Sequence, residues 1–89
     1  MIQTSITISN KLGLHARASA KLTKLASGFR SEVFISRGDR RVNAKSIMGV
    51  MMLAAGMGTE IQIDVSGDDE QTAMAALLGL IQDKFGEGQ

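Results

Sequence analysis

The sequence predicts an α+β open-faced sandwich, a four-stranded antiparallel sheet covered on one face by three helices, in the order βαββαβα. Three observations predict it. Isoleucines alternate with polar residues over residues 2–8, and Ile61, Ile63 and Val65 do so again later in the chain. Apolar residues recur at helical spacing over residues 18–29 and again over residues 73–81. The length of 89 residues suits one domain, residues 1–89, with one modest core.

Taken in order, Ile2, Ile6 and Ile8 mark a half-buried first strand, with Thr4 taking an inward slot. Residues 10–13 form a loop. The first helix places Ala18, Leu22, Leu25, Ala26 and Phe29 on one stripe, and Gly28 is its stop. Residues 31–36, with Val33, Phe34 and Ile35, read as a second strand, and Arg40–Asn43 as a third, joined through Arg37-Gly38-Asp39 as a hairpin. Arg37, Arg40 and Arg41 read as solubilising charges on an edge strand. Ser46 is a good N-cap for a short second helix that Gly56 or Gly58 would end. That segment is apolar on every side: Ile47, Met48, Val50, Met51, Met52 and Leu53. A small domain cannot bury such a helix completely, so part of it is expected to be an exposed docking face, with Met as the adaptable contact residue. Glu60–Ser66 is the clearest strand. Asp68 with Gln71 has the spacing of a capping box for the third helix, which Gly86 closes, and residues 87–89 are expected to fray. Pattern alone leaves the strand order open between a ferredoxin-like arrangement and other antiparallel ones.

The chemistry centres on His15, the only histidine, at the junction of the first loop and the first helix. There it stands beside backbone N–H groups that have no intrahelical partner. The positive end of the helix favours the neutral ring, whose free lone pair makes it a nucleophile. Once the ring bears a phosphoryl group, the amides of Ala16 and Arg17 face an anion, which they favour. The Arg17 guanidinium is a fork suited to phosphate oxygens. Gly13 allows a close backbone approach or an unusual turn. No second arginine and no carboxylate lies near His15 in sequence, so the clamp is mild and the site looks like half of an active site. Arg17, Lys21 and Lys24 form a basic stripe able to attract an acidic partner surface.

Composition narrows the alternatives. There is no cysteine, which excludes disulfides and, with one histidine, argues against a zinc site; no metal or cofactor is expected. No apolar run is long enough to span a membrane and no signal peptide opens the chain, so a cytoplasmic protein without membrane insertion is expected. A net charge of +1 with no Trp or Tyr argues against a nucleic-acid or ferredoxin-like RNA-binding module, which needs stacking aromatics.

Two stretches, Leu12-Gly13-Leu14-His15-Ala16-Arg17-Ala18-Ser19-Ala20 and Asn43-Ala44-Lys45-Ser46-Ile47-Met48-Gly49-Val50-Met51, stand in the same short chain. Together they resemble HPr, the histidine-containing phosphocarrier family of the bacterial phosphoenolpyruvate-dependent phosphotransferase system (PTS), over essentially the whole length. The resemblance implies strand order 1-4-2-3. It implies that His15 takes a phosphoryl group on Nδ1 from enzyme I and passes it to the IIA component of a sugar permease, with Arg17 helping to hold it. The chain would then be a phosphoryl-transfer intermediate rather than a stand-alone catalyst. Ser46 would be the target of an HPr kinase/phosphorylase that damps transfer. Ala20, Lys21, Lys24, Ile47, Met48 and Met51 would dock the partners, and the chain would act as a monomer. A nitrogen-regulatory paralogue is the alternative within the family. One position departs from the pattern: Ala18 stands where the family often has proline, and alanine does not preset the helix entry.

Overall fold

The computed structural model describes residues 1–88. Four strands, β1 (Ile2–Thr7), β2 (Glu32–Arg37), β3 (Arg40–Asn43) and β4 (Glu60–Ser66), form one antiparallel sheet in the order β1-β4-β2-β3. Helices α1 (Ala16–Ser27), α2 (Ile47–Met52) and α3 (Glu70–Gln82) follow in the expected βαββαβα order. β4 is central because it carries the deepest alternation. Ile61, Ile63 and Val65 are all buried and pair with β1, and Ile63 and Val65 pair with β2 on the other side as well. The first and last strand patterns of the chain thus become neighbours, as the family resemblance implies.

The helical stripe of α1 enters the core through Ala18, Leu22 and Ala26, that of α3 through Ala73, Met74, Leu77 and Ile81, and α2 contributes Val50. Between β2 and β3 the loop is only Gly38-Asp39, with Gly38 at φ +60, the glycine-first pattern of a II′ hairpin.

Four expectations are corrected. The hairpin arginines do more than solubilise: Arg37 Nη1 donates to the Leu53 and Ala54 carbonyls at 2.9 and 3.1 Å, and Arg40 Nη1 to Met52 O at 2.6 Å. Cations thereby satisfy carbonyls that α2 leaves open at its C-terminus. With these caps, and with Ala54 at φ 53, α2 ends at Met52, well before Gly56. The Asp68–Gln71 capping box does not form. Asp69 is the N-cap of α3, and its carboxylate turns to the start of β2, accepting from Ser31 Oγ at 2.5 Å and from the Arg30 and Ser31 N–H groups at 2.9 and 3.0 Å. Last, α3 stops at Gln82, and a 3-10 turn, Lys84–Gly86, follows it. There Lys84 and Phe85 adopt φ of 55 and 56, a left-handed conformation that costs an L-residue about 1–2 kcal/mol. The compensation is the complete burial of the Phe85 ring.

The Asp69 contacts predict an acid response. Chiefly the Ser31 hydroxyl, then the Arg30 N–H, hold its carboxyl below the ordinary value of 3.8. A folded-state pKa that is depressed stabilises the fold fully above the unfolded value and loses that contribution as pH falls through the folded one. Urea unfolding from neutral to acid pH is expected to show Asp69→Asn less stable than the wild type near neutrality, with the two curves converging in acid. Parallel curves at every pH would contradict this.

Candidate functional site

The loop between β1 and α1 is built to hold one ring. Asn10, fully buried, donates from Nδ2 to Gly13 O at 2.8 Å, and the Gly13 N–H returns to Asn10 O at 3.2 Å. Gly13 has φ +65, and a Cβ there would lie 2.5 Å from Ala55 O and 2.6 Å from Gly56 Cα. Only glycine meets both demands. Leu14 N–H then donates to Ala55 O at 2.9 Å, and Ser19 Oγ to Leu14 O at 3.0 Å. The loop is therefore sewn to the α2–β4 connection and to the first turn of α1. Ala18 is buried behind the turn.

His15 emerges from this frame as the N-cap of α1, with extended backbone (φ −75, ψ 179) and no side-chain capping bond. Its carbonyl accepts from Ser19 N–H at 2.8 Å, which starts the helix. The N–H groups of Ala16, Arg17 and Ala18 find no acceptor among the described residues. The ring is 29 % exposed and lies in an open depression of about 650 Å³ lined with Lys11, Leu12, Ala16, Arg17 and Glu87. Arg17 is exposed on the rim.

Reasoning from neighbours in sequence missed Glu87. Its Oε2 lies 2.5 Å from His15 Nε2, and its Oε1 accepts from Asn10 Nδ2 at 3.1 Å. The expectation that no carboxylate stands beside His15, and that residue 87 frays, is corrected on both counts. The 3-10 turn folds the chain back across α1, where Lys21 Nζ donates to Phe85 O at 2.6 Å. The Asn10 amide first, then the His15 ring, hold the Glu87 carboxyl below the usual range. A carboxylate only accepts, so the facing Nε2 is the donor, and in the neutral ring the lone pair is then on Nδ1. Nδ1 has no hydrogen-bond partner among the described residues. Lys11, placed in the loop by its sequence context, also proves to line the depression. Residue 89, part of the segment expected to fray, lies outside the described residues.

The other residues singled out lie on two neighbouring surfaces. Ser46 Oγ accepts from Gly49 N–H at 3.2 Å and caps α2 as its residue type predicts. Val50 of α2, and Leu53 at its C-terminus, are buried, while Ile47, Met48 and Met51 are exposed, Met48 by 68 %. Met52, Met57 and Leu12 are exposed as well. On α1, Ala20, Lys21 and Lys24 are exposed, although the Lys21 ammonium is engaged by Phe85 O. Among the described residues no helix is long and apolar enough to cross a membrane.

These features define a class: a small open sandwich that offers one nitrogen of a single histidine at the start of a helix. The chain belongs to the PTS HPr family, its residues 2–83 matching the model described as PTS HPr component phosphorylation site. It is 63% identical over 89 residues to the phosphocarrier protein HPr of Cupriavidus necator, with both chains covered completely. It is also similar to a crystal structure of HPr-C-His from Thermoanaerobacter tengcongensis, with a TM-score of 0.95, 45% identity and 98% of each chain covered. A phosphocarrier protein NPr from Shewanella violacea is 43% identical over 86 residues, covering 97% of this chain and 94% of that one.

Proposed function

We propose that this chain is a cytoplasmic, monomeric phosphocarrier that receives a phosphoryl group from enzyme I on Nδ1 of His15 and delivers it to IIA components. The carrying observation is the ring itself, at a helix start where, among the described residues, neither its Nδ1 nor the first three amides have a partner. The Nδ1 lone pair forms the new N–P bond as the bond from phosphorus to the donor breaks, and the donor keeps that electron pair. The amides of Ala16 and Arg17 and the Arg17 guanidinium meet the phosphoryl oxygens. Each helix-start contact is worth about 0.3–1 kcal/mol, enough to orient the group without trapping it. The remaining transition-state donors come from the partner, so the chain is an intermediate in transfer rather than an enzyme in its own right.

Incubation with phosphoenolpyruvate and enzyme I tests this directly. One acid-labile, alkali-stable phosphoryl group per chain is expected, and its absence would refute the proposal. The similarity to an NPr favours one further reading, a nitrogen-regulatory carrier. Presenting the phosphorylated chain to sugar-specific and nitrogen-regulatory IIA proteins separates the two.

In the proposed reading Ser46 is the regulatory phosphorylation site for an HPr kinase/phosphorylase, and the partners sit on Ala20, Lys21, Lys24, Ile47, Met48 and Met51. A phosphate at the N-cap complements the helix dipole and need not melt α2, yet it puts a charge of about −1.5 to −2 beside the apolar docking face. Ser46→Asp is expected to weaken phosphoryl transfer from enzyme I by about tenfold or more, because like charges facing each other across an interface cost several kcal/mol. Backbone chemical-shift changes should stay near α2. Shifts spread across the whole sheet would instead indicate refolding.

A further inference from the structure

Two unfavourable features meet beside His15. Lys84 and Phe85 both adopt left-handed backbone in the turn that brings the chain back across α1. Asn10, fully buried, leaves its Oδ1 without a partner. That amide cannot be turned round, because its Nδ2 donates at once to Gly13 O and to Glu87 Oε1 and a carbonyl oxygen there would face two acceptors. Backbone strain and an orphaned buried acceptor are each exceptional in a folded domain, and both tend to gather where geometry serves chemistry. Here both serve one result, the Glu87 carboxylate set against His15 Nε2. Three anchors hold the segment that delivers it: the buried Phe85 ring, the Lys21 bond to Phe85 O and the Asn10 bond to Glu87.

We propose that Glu87 is a positioning residue for the phosphoryl-acceptor histidine, keeping the ring proton on Nε2, aiming Nδ1 into the depression and balancing the charge that the ring acquires as the phosphoryl group arrives. This rests on the phosphocarrier reading of His15. As Nδ1 attacks the donor's phosphoryl group, the Nδ1–P bond forms, the bond from phosphorus to the donor breaks and its electron pair stays with the donor. The Nε2 proton stays on His15, so the acceptor ring takes on positive charge. A carboxylate already bonded to that N–H meets the charge without rearrangement. When the group leaves, the same contact returns the ring to its starting orientation. The carboxylate touches neither phosphorus nor donor and acts only through the ring.

The test uses the full chain, its Glu87→Gln and Glu87→Ala variants, and phosphorylated enzyme I. In the wild type, NMR of the unphosphorylated protein is expected to show a far-downfield ring N–H proton that correlates with Nε2. That signal should move upfield in Glu87→Gln and vanish into exchange with water in Glu87→Ala. Stopped-flow transfer should show kcat reduced by about tenfold in Glu87→Ala with KM unchanged, the low end for losing a charge-assisted hydrogen bond. The proposal is overturned if the wild type lacks the downfield proton, or if Glu87→Ala transfers as fast as the wild type. A wild-type chain that takes up no phosphoryl group refutes the functional reading itself, and Glu87's role with it; wild-type uptake matched by Glu87→Ala removes only the role assigned to Glu87.

Discussion

His15→Ala is expected to take up no phosphoryl group from enzyme I while melting close to the wild-type temperature. The loss should be complete because the chain has no second histidine and no cysteine, and no other side chain offers a neutral nitrogen lone pair in the depression. The fold should survive because the ring packs into no part of the core and makes no capping bond; α1 begins on the His15 carbonyl, which the substitution keeps. Alanine is a poor N-cap, but the native imidazole does not cap either. Mass spectrometry at neutral pH, with a thermal melt alongside, is the measurement. Full phosphoryl uptake by the variant would move the acceptor elsewhere, and a collapsed melt would make His15 structural.

Gly13→Ala should produce the opposite pattern, a large loss of stability that drags transfer down with it. The new methyl would meet Ala55 O and Gly56 Cα at 2.5 and 2.6 Å, both backbone atoms in a connection already bonded to Leu14 N–H. Left-handed backbone adds about 1–2 kcal/mol and overpacking about 1–3 kcal/mol, so the midpoint of thermal unfolding should fall by about 10 °C or more. Gly79→Ala is the control. It lies inside α3, where a Cβ meets nothing within 4 Å, and should gain up to about 1 kcal/mol from helix propensity. If Gly13→Ala melts like the wild type, the His15 loop is not docked on the Ala55–Gly56 backbone as described.

What was readable from the chain was local. The His15 N-cap, the Ser46 cap, the hairpin turn at Gly38 and the alternation of β4 are each set within a few residues, by which atoms a side chain can offer its own backbone or which face it must bury. The apolar face of α2 was also legible, since five apolar residues around one short helix exceed what a small core can cover. Spacing along the chain misleads where the partner lies far away. Asp68 and Gln71 have capping-box spacing, but Asp69 finds two amides and a hydroxyl at the start of β2. Arg37 and Arg40 look like edge-strand charges until α2 brings its open carbonyls within reach.

The sequence by itself determined the order of elements, the buried stripes and the chemical identity of the reactive ring. Periodicity, capping chemistry and the presence of a single histidine need no long-range information. Only the tertiary structure set a carboxylate against one nitrogen of that ring and left the other without a hydrogen-bond partner among the described residues. That depends on Glu87, 72 residues away, returning over α1 on a left-handed turn anchored by Phe85. The physical reason is the range of the forces involved. A hydrogen bond acts over one contact, and no pattern along the chain records which distant residue will supply its other half.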